Sequence, residues 1–175
     1  MLEGIIDSIQ SSQWLYRIPA LLIALTLHEL AHGLVAYKLG DPTAKQQGRL
    51  TLNPVKHIDP LGLLALFILR FGWAKPVPVD PRYFKGNRRR GLFLVGLAGP
   101  LMNFIIAFLS ILLLVTVPMF QTTHWVFFLQ LLLTYNVFFG LFNLLPIPPL
   151  DGSKVIQYFL PARWLPYLGR VEQYG

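Results

Sequence analysis

The chain has 175 residues, of which 54% are hydrophobic and 13% charged; soluble domains carry roughly 25% charged residues, so a soluble globular class is excluded. It contains no cysteine, which excludes disulfides and thiolate metal sites. The net charge of +7 does not point to nucleic acid, because every Lys and Arg except Arg17, Lys154, Arg163 and Arg170 falls from Lys38 to Arg90, between two apolar segments.

The opening MLEGIIDSIQSSQW places Leu2, Ile5, Ile6 and Ile9 at helical spacing. It reads either as a short amphipathic helix at the membrane surface or as a frayed tail. No Arg- or Lys-led signal peptide with a small-residue cleavage site opens the chain. Residues 14–39 then exceed the ~20 that a helix needs to cross roughly 30 Å of hydrocarbon. This span carries His28, Glu29 and His32 at its centre. Insertion scales put a bare Asp, Lys or Arg at that depth at ~2.5–3.5 kcal/mol, so such groups need partners.

The three residues form H-E-x-x-H. On a helix, positions four apart share one face, and two imidazoles so placed can grip one Zn2+. Glu29 lies about 100° round the axis, adjacent to the metal. Zinc lowers the pKa of a bound water from ~15.7 to ~7, and Glu29 can take its proton as hydroxide attacks a carbonyl. In a soluble helix the same string reads equally as a polar face packed on neighbours. Inside a span that reading leaves three polar groups without explanation.

Residues 40–91 form a loop. GRLTLNP and WAKPVPVDP read as short extended segments bounded by Pro and Gly. Pro76 and Pro78 share one parity and blunt one edge. The amides of Val77 and Val79 point to the other edge, which is either a protected sheet edge or a template that an extended substrate joins. Between these segments, LGLLALFILRFGWA (Leu61–Ala74) is short, is broken by Arg70, and fits a re-entrant or interfacial piece. His57, in VKHIDP, reads as a structural loop histidine or as a donor to an oxyanion. KGNRRRG (Lys85–Gly91) abuts an apolar run and is expected at anionic lipid headgroups.

Two more spans cover residues 92–117 and 125–145. Gly96 and Gly99 read as close-packing positions, and His124 falls at the outer mouth of the third span. Pro118–Thr123 has no Lys or Arg, so the positive-inside rule places the loop and the tail in the cytoplasm and the N-terminus outside. NLLPIPPLDGSKV (Asn143–Val155) stops the third helix at Pro146, Pro148 and Pro149; such breaks are tolerated where backbone lines a cavity. Asp151 is the unpaired carboxylate beside these spans. It is either the third ligand of a catalytic zinc with one open position or a helix N-cap. The tail, 152–175, carries Tyr158, Trp164 and Tyr167 and reads as an interfacial helix.

LTLHELAHG together with NLLPIPPLDG resembles the site-2 protease family of intramembrane zinc metalloproteases. GLAGPLMN (Gly96–Asn103) is similar to that family's middle-span G-P-x-x-N element. GRLTLNPVKHIDPLG and GWAKPVPVDPRYF look like the loop of its compact bacterial and archaeal members, which lack PDZ-like and CBS-like modules. The resemblance runs from about Ile18 to Gly175. It implies one zinc per chain on His28, His32 and Asp151, with Glu29 as general base and the site toward the cytoplasm. It also implies that Asn143 helps hold substrate or bonds between helices, and that Asn103 faces the same choice, with site lining favoured.

The expected fold is an all-α integral membrane protein: one membrane-embedded domain over 1–175, with a three-span core and a re-entrant or short β loop between the first and second spans. The expected reaction is hydrolysis of peptide bonds in or near transmembrane segments of membrane-protein substrates, as in regulated intramembrane proteolysis, in a prokaryotic cell membrane. Similar compact proteins tend to continue past VEQYG into another apolar helix, so a further segment is expected there. Nothing in the sequence specifies an oligomeric state. Other classes also bury polar groups in spans. A transporter would favour inverted repeats, and the sequence shows none. A di-iron oxygenase needs more ligands than four His supply. An inactive scaffold would tolerate loss of Glu29, which this chain keeps.

Overall fold

The computed structural model describes residues 2–62 and 74–164. Helix α1 (Leu2–Lys38) is continuous through Pro19. The opening stretch is therefore not a separate surface helix. From Ile5 to Ile18 there is no Gly or Pro to stop propagation, so the helix that carries the first span continues toward the N-terminus. A single turn, α2 (Thr43–Gln46), precedes the loop. Further along the described residues come α3 (Arg88–Thr116), α4 (Thr123–Asn143) and the short α5 (Asp151–Gln157).

Among the described residues, three helices are long and apolar enough to cross a membrane: α1 over Gln13–Lys38, α3 and α4. Helix α3 starts at Arg88, before the expected position 92, because Asn87 caps it: its Oδ1 accepts from the Arg90 amide at 3.1 Å. The basic cluster Arg88–Arg90 thus forms the first turn of a span. Helix α4 ends at Asn143, before the run of prolines.

Helix α3 is the central element and packs on α1, α4 and α5. Its buried face is mostly small or polar, with Gly96, Gly99, Asn103, Ala107 and Ser110 among its residues. Its exposed residues include Leu101, Ile105, Phe108, Leu112 and Val115. This reverses the pattern of a soluble protein. Lipid is as apolar as leucine, so spans associate through close approach of small residues and through buried hydrogen bonds. Conventional apolar packing is left to two places. Ala20, Ile106, Leu129 and Leu132 join the three spans, and Ala36, Phe84 and Val95 seat the end of the loop on α1 and α3.

The expected short β structure in the loop does not form. The described residues contain no strand, only an isolated antiparallel bridge between Ile58 and Ala74. Prolines 54, 60, 76, 78 and 81 remove amides that a ladder would need, and much of the loop's bonding goes to side chains. Buried Asp41 accepts from the Thr43 and Asp80 amides, and Arg49 Nη2 donates to the Lys75 carbonyl. The proposed re-entrant piece falls mostly on residues 63–73, outside the described residues. So does Tyr167 in the tail. The described tail is α5 followed by a 3-10 turn, Ala162–Trp164. Tyr158 packs on Phe93 with ring centroids 4.8 Å apart. The Arg89 guanidinium, from the first turn of α3, donates to the carbonyls of Gln157 and Leu160.

Candidate metal centre

The helical spacing of His28 and His32 stacks their rings one turn apart on α1, with centroids 4.6 Å apart and planes at 84°. Their Nε2 atoms lie 3.0 Å apart. The break after α4 delivers the third group. The turn Leu144–Leu150 leads into α5, whose first residue is Asp151. Asp151 Oδ2 sits 3.1 Å from His28 Nε2 and 2.9 Å from His32 Nε2. All three residues are buried, each with 6% exposure. Asp151 is not an N-cap. Leu150 occupies that position, with no side-chain capping bond, and the carboxylate turns to the histidines and to Lys154, whose Nζ is 3.1 Å from Oδ1.

The far side of each ring is equally defined. His28 Nδ1 meets Asn103 Oδ1 at 2.5 Å, and His32 Nδ1 meets the Val95 carbonyl at 2.7 Å. Asn103 is oriented in turn. Its Nδ2 donates to Asn136 Oδ1 at 2.7 Å and to the Ala24 carbonyl at 3.3 Å. Asn136 Nδ2 donates to the Leu132 carbonyl. Backbone carbonyls can only accept, so both amides have a fixed orientation and each imidazole must carry its hydrogen on Nδ1. In the neutral rings both Nε2 lone pairs then converge on a carboxylate oxygen. Only protons on Nε2 or a cation among the three atoms satisfies that arrangement.

These residues fit zinc. Ligand atoms at ~2.0–2.1 Å from a tetrahedral zinc lie about 3.3 Å apart, a few tenths of an ångström more than the separations seen here. Two neutral imidazoles and one carboxylate are a donor set this ion takes, and acceptors behind the ligating histidines are the usual outer support. Burial pushes the Asp151 carboxyl up. Its interactions with His28 and His32 and the Lys154 charge outweigh burial and hold it well below the usual carboxylate range, so it is available as an anion. Gly99, on α3, makes room for the rings: a Cβ there would lie 2.5 Å from His28 Cε1 and 2.7 Å from His28 Nε2. Gly96 does the same for α5, where a Cβ would come within 3.0 Å of the Asp151 carbonyl.

Glu29 stands beside this cluster, half-buried, and its Oε2 accepts a hydrogen bond from the Val77 amide at 2.7 Å. The edge at Val77 is therefore not open: its N–H is taken by a carboxylate from α1. The bridge-forming peptide of His57 lies in the loop. The His57 ring is buried, but its Nε2 bonds the Thr51 carbonyl at 2.9 Å, and it is not among the residues that converge with His28, His32 and Asp151. Asn143, the last residue of α4, donates back to the Phe139 carbonyl at 3.1 Å. His124 is hydrogen-bonded to Tyr16 at 2.6 Å and ties α1 to α4.

Sequence reasoning missed three participants. Asn136 was visible as a polar residue in mid-span, and Lys154 as a cation three residues after Asp151. The Val95 carbonyl has no sequence signature.

A bundle of membrane-length helices enclosing a two-histidine, one-carboxylate cluster beside a glutamate defines a membrane-embedded metallohydrolase class. The family model of peptidase family M50 matches residues 16–123 and 118–166. YwhC of Bacillus subtilis is 44% identical over 167 residues, covering 91% of this chain and 76% of its own. Rip2 of Mycobacterium tuberculosis is 36% identical over 166 residues, covering 88% of this chain and 61% of its own. Rip2 of Mycolicibacterium smegmatis is 33% identical over 162 residues, again 88% and 61%. All three are named as candidate zinc metalloproteases. No solved structure matches. The chain belongs to peptidase family M50, the site-2 protease family of membrane zinc metalloproteases.

Proposed function

We propose that this chain hydrolyses peptide bonds in or near transmembrane segments of other membrane proteins, with one zinc held by His28, His32 and Asp151. The observation that carries this reading is the convergence of two imidazole nitrogens and a carboxylate oxygen within 3.1 Å of one another, inside a bundle of membrane-length helices. A zinc there supplies Lewis acidity, acidifying a water and polarising the scissile carbonyl. Glu29 is the general base: it accepts a proton from the attacking water and returns it to the departing amine. Asn103 and the Val95 carbonyl keep the two imidazoles in the ligating tautomer.

A helical substrate hides its carbonyls in backbone hydrogen bonds and must unwind locally before attack. Asn143, at the end of α4, and the amide of Val79, in the loop, are assigned to holding the unwound chain. Arg88–Arg90 meets anionic headgroups. By the positive-inside rule, the loop and the site face the cytoplasm of a prokaryotic cell. Residues 1–175 act as one membrane-embedded unit.

The test is metal analysis of the purified chain, paired with cleavage of a panel of single-span substrates by the wild type and by Glu29→Gln. Both forms should hold one zinc. The wild type should cleave, and the variant should be slower by at least ~100-fold. Cleavage by Glu29→Gln at the wild-type rate, or an active chain free of zinc, overturns the reading.

A further inference from the structure

The segment from Lys75 to Asp80 is tied down at both ends. At its start, the Lys75 amide donates to the His57 carbonyl at 2.9 Å, and the Lys75 carbonyl accepts from Arg49 Nη2 at 2.6 Å. At its end, the Asp80 amide donates to Asp41 Oδ2 at 2.7 Å. Both anchors are buried: Asp41 is 0% and Arg49 5% exposed. Lys75 and Val77 each precede a proline, which biases their backbones to extended conformations. The segment is thus a taut strap laid across the loop-side end of α1.

At its middle the strap touches α1 in two ways. The Val77 side chain is buried, and a Cβ at Gly33 would come within 3.1 Å of Val77 Cγ1 and 2.6 Å of Leu50 Cδ2. Gly33 directly follows His32, so the absent side chain is what lets the strap lie down next to the ligand helix. The Val77 amide then reaches Glu29 Oε2 at 2.7 Å. Among the described residues, Glu29 Oε1 has no hydrogen-bond partner.

We propose that the Val77 main-chain amide is a positioning group for the general base. It fixes Oε2 and the carboxylate plane, leaving Oε1 as the oxygen that accepts the proton. A carboxylate on a flexible side chain samples several rotamers in a polar cavity. One charge-assisted bond from an anchored backbone removes that freedom, and orienting a catalytic group acts on the rate more than on binding. Activity thereby becomes contingent on the loop being seated on Gly33. This inference rests on the reading of Glu29 as general base.

The test removes the N–H alone. Val77 is replaced in the full chain by its α-hydroxy analogue, which turns that amide into an ester and keeps the side chain; Val77→Pro is the genetic counterpart. The expected result is a fall in kcat of at least about tenfold, with KM within about twofold and zinc content unchanged. A merely structural disturbance would move KM and metal content as well. In a Glu29→Asp background, whose carboxylate is one methylene too short to reach Val77, the ester should add less than about a twofold further loss. An unchanged or increased kcat in the ester variant overturns the inference. If Glu29→Gln is inactive while the ester variant is fully active, only the positioning role fails. If Glu29→Gln cleaves normally, the general-base reading fails and takes this inference with it.

Discussion

The histidine–aspartate half of the proposed site and the half that carries Glu29 are built from different material. His28, His32 and Asp151 are almost fully buried, and the groups behind the two imidazoles belong to spanning helices: Asn103 and Val95 on α3, Asn136 on α4. Glu29 shares α1 with the histidines yet takes its hydrogen bond from a loop amide and is half-buried. The ligand half is fixed by helix packing that membrane insertion already requires. The Glu29 half takes its hydrogen bond from the loop, so its geometry follows the seating of the loop. Binding of metal and turnover should therefore be separable by mutation, with span substitutions reporting on metal and loop substitutions on rate.

The hardest break of that division comes from Gly99→Ala. The added methyl would fall against His32 Nε2 and lie 2.7 Å from His28 Nε2. Alanine is a better helix former than glycine by up to ~1 kcal/mol, so α3 itself should not suffer. The expected outcome is a folded bundle that retains less than about a tenth of its zinc, because the ligating geometry of both rings is lost. Circular dichroism with metal analysis measures both. Full metal content would show that the rings have room to move and that the ligand half is softer than its burial implies.

Next come the groups behind the histidines. Asn103→Ala removes the acceptor of His28 Nδ1–H and should weaken zinc binding by ~10–100-fold, read by competition with a chelator. Asn136→Ala acts one bond further out. Asn103 keeps its bond to the Ala24 carbonyl, so the loss should be smaller, at most about tenfold. A larger effect at Asn136 than at Asn103 would mean that the pair serves packing of α3 on α4 and not the tautomer of His28.

The parts of this arrangement that were legible in the sequence are those with a local cause. Helical spacing alone put His28 and His32 on one face and Glu29 beside them. Uninterrupted apolar length marked the three spans, and the prolines after Asn143 marked the break that delivers Asp151. What stayed hidden depends on which elements meet. Nothing in WAKPVPVDP says that the Val77 amide will find a carboxylate on α1 and not a strand. The alternation of prolines looked like an edge, but an edge needs a neighbour, and the nearest acceptors here are the side chains of Glu29 and Asp41. The basic run Arg88–Arg90 reads as loop because its charge masks a helix start that Asn87 caps. The Val95 carbonyl could not be found from sequence at all, since every residue carries one.

Lys154 sits on the boundary between the two halves and should give the smallest effect. Its ammonium lies 3.1 Å from Asp151 Oδ1, but its own side chain is 36% exposed against 8% for Asp151, so water screens the pair from the lysine side. Two consequences of removing it oppose each other. The cation steadies one carboxylate oxygen while Oδ2 faces the histidines, so its loss loosens the ligand. The same positive charge repels a divalent cation, so its loss also favours metal entry. For Lys154→Met the net change in zinc affinity should stay within about threefold, and high salt should shrink the difference from wild type further, because screening acts on the exposed charge. A loss beyond about tenfold that is insensitive to salt would place Lys154 with the buried ligand half, and the boundary between the two halves would have to be drawn on the other side of α5.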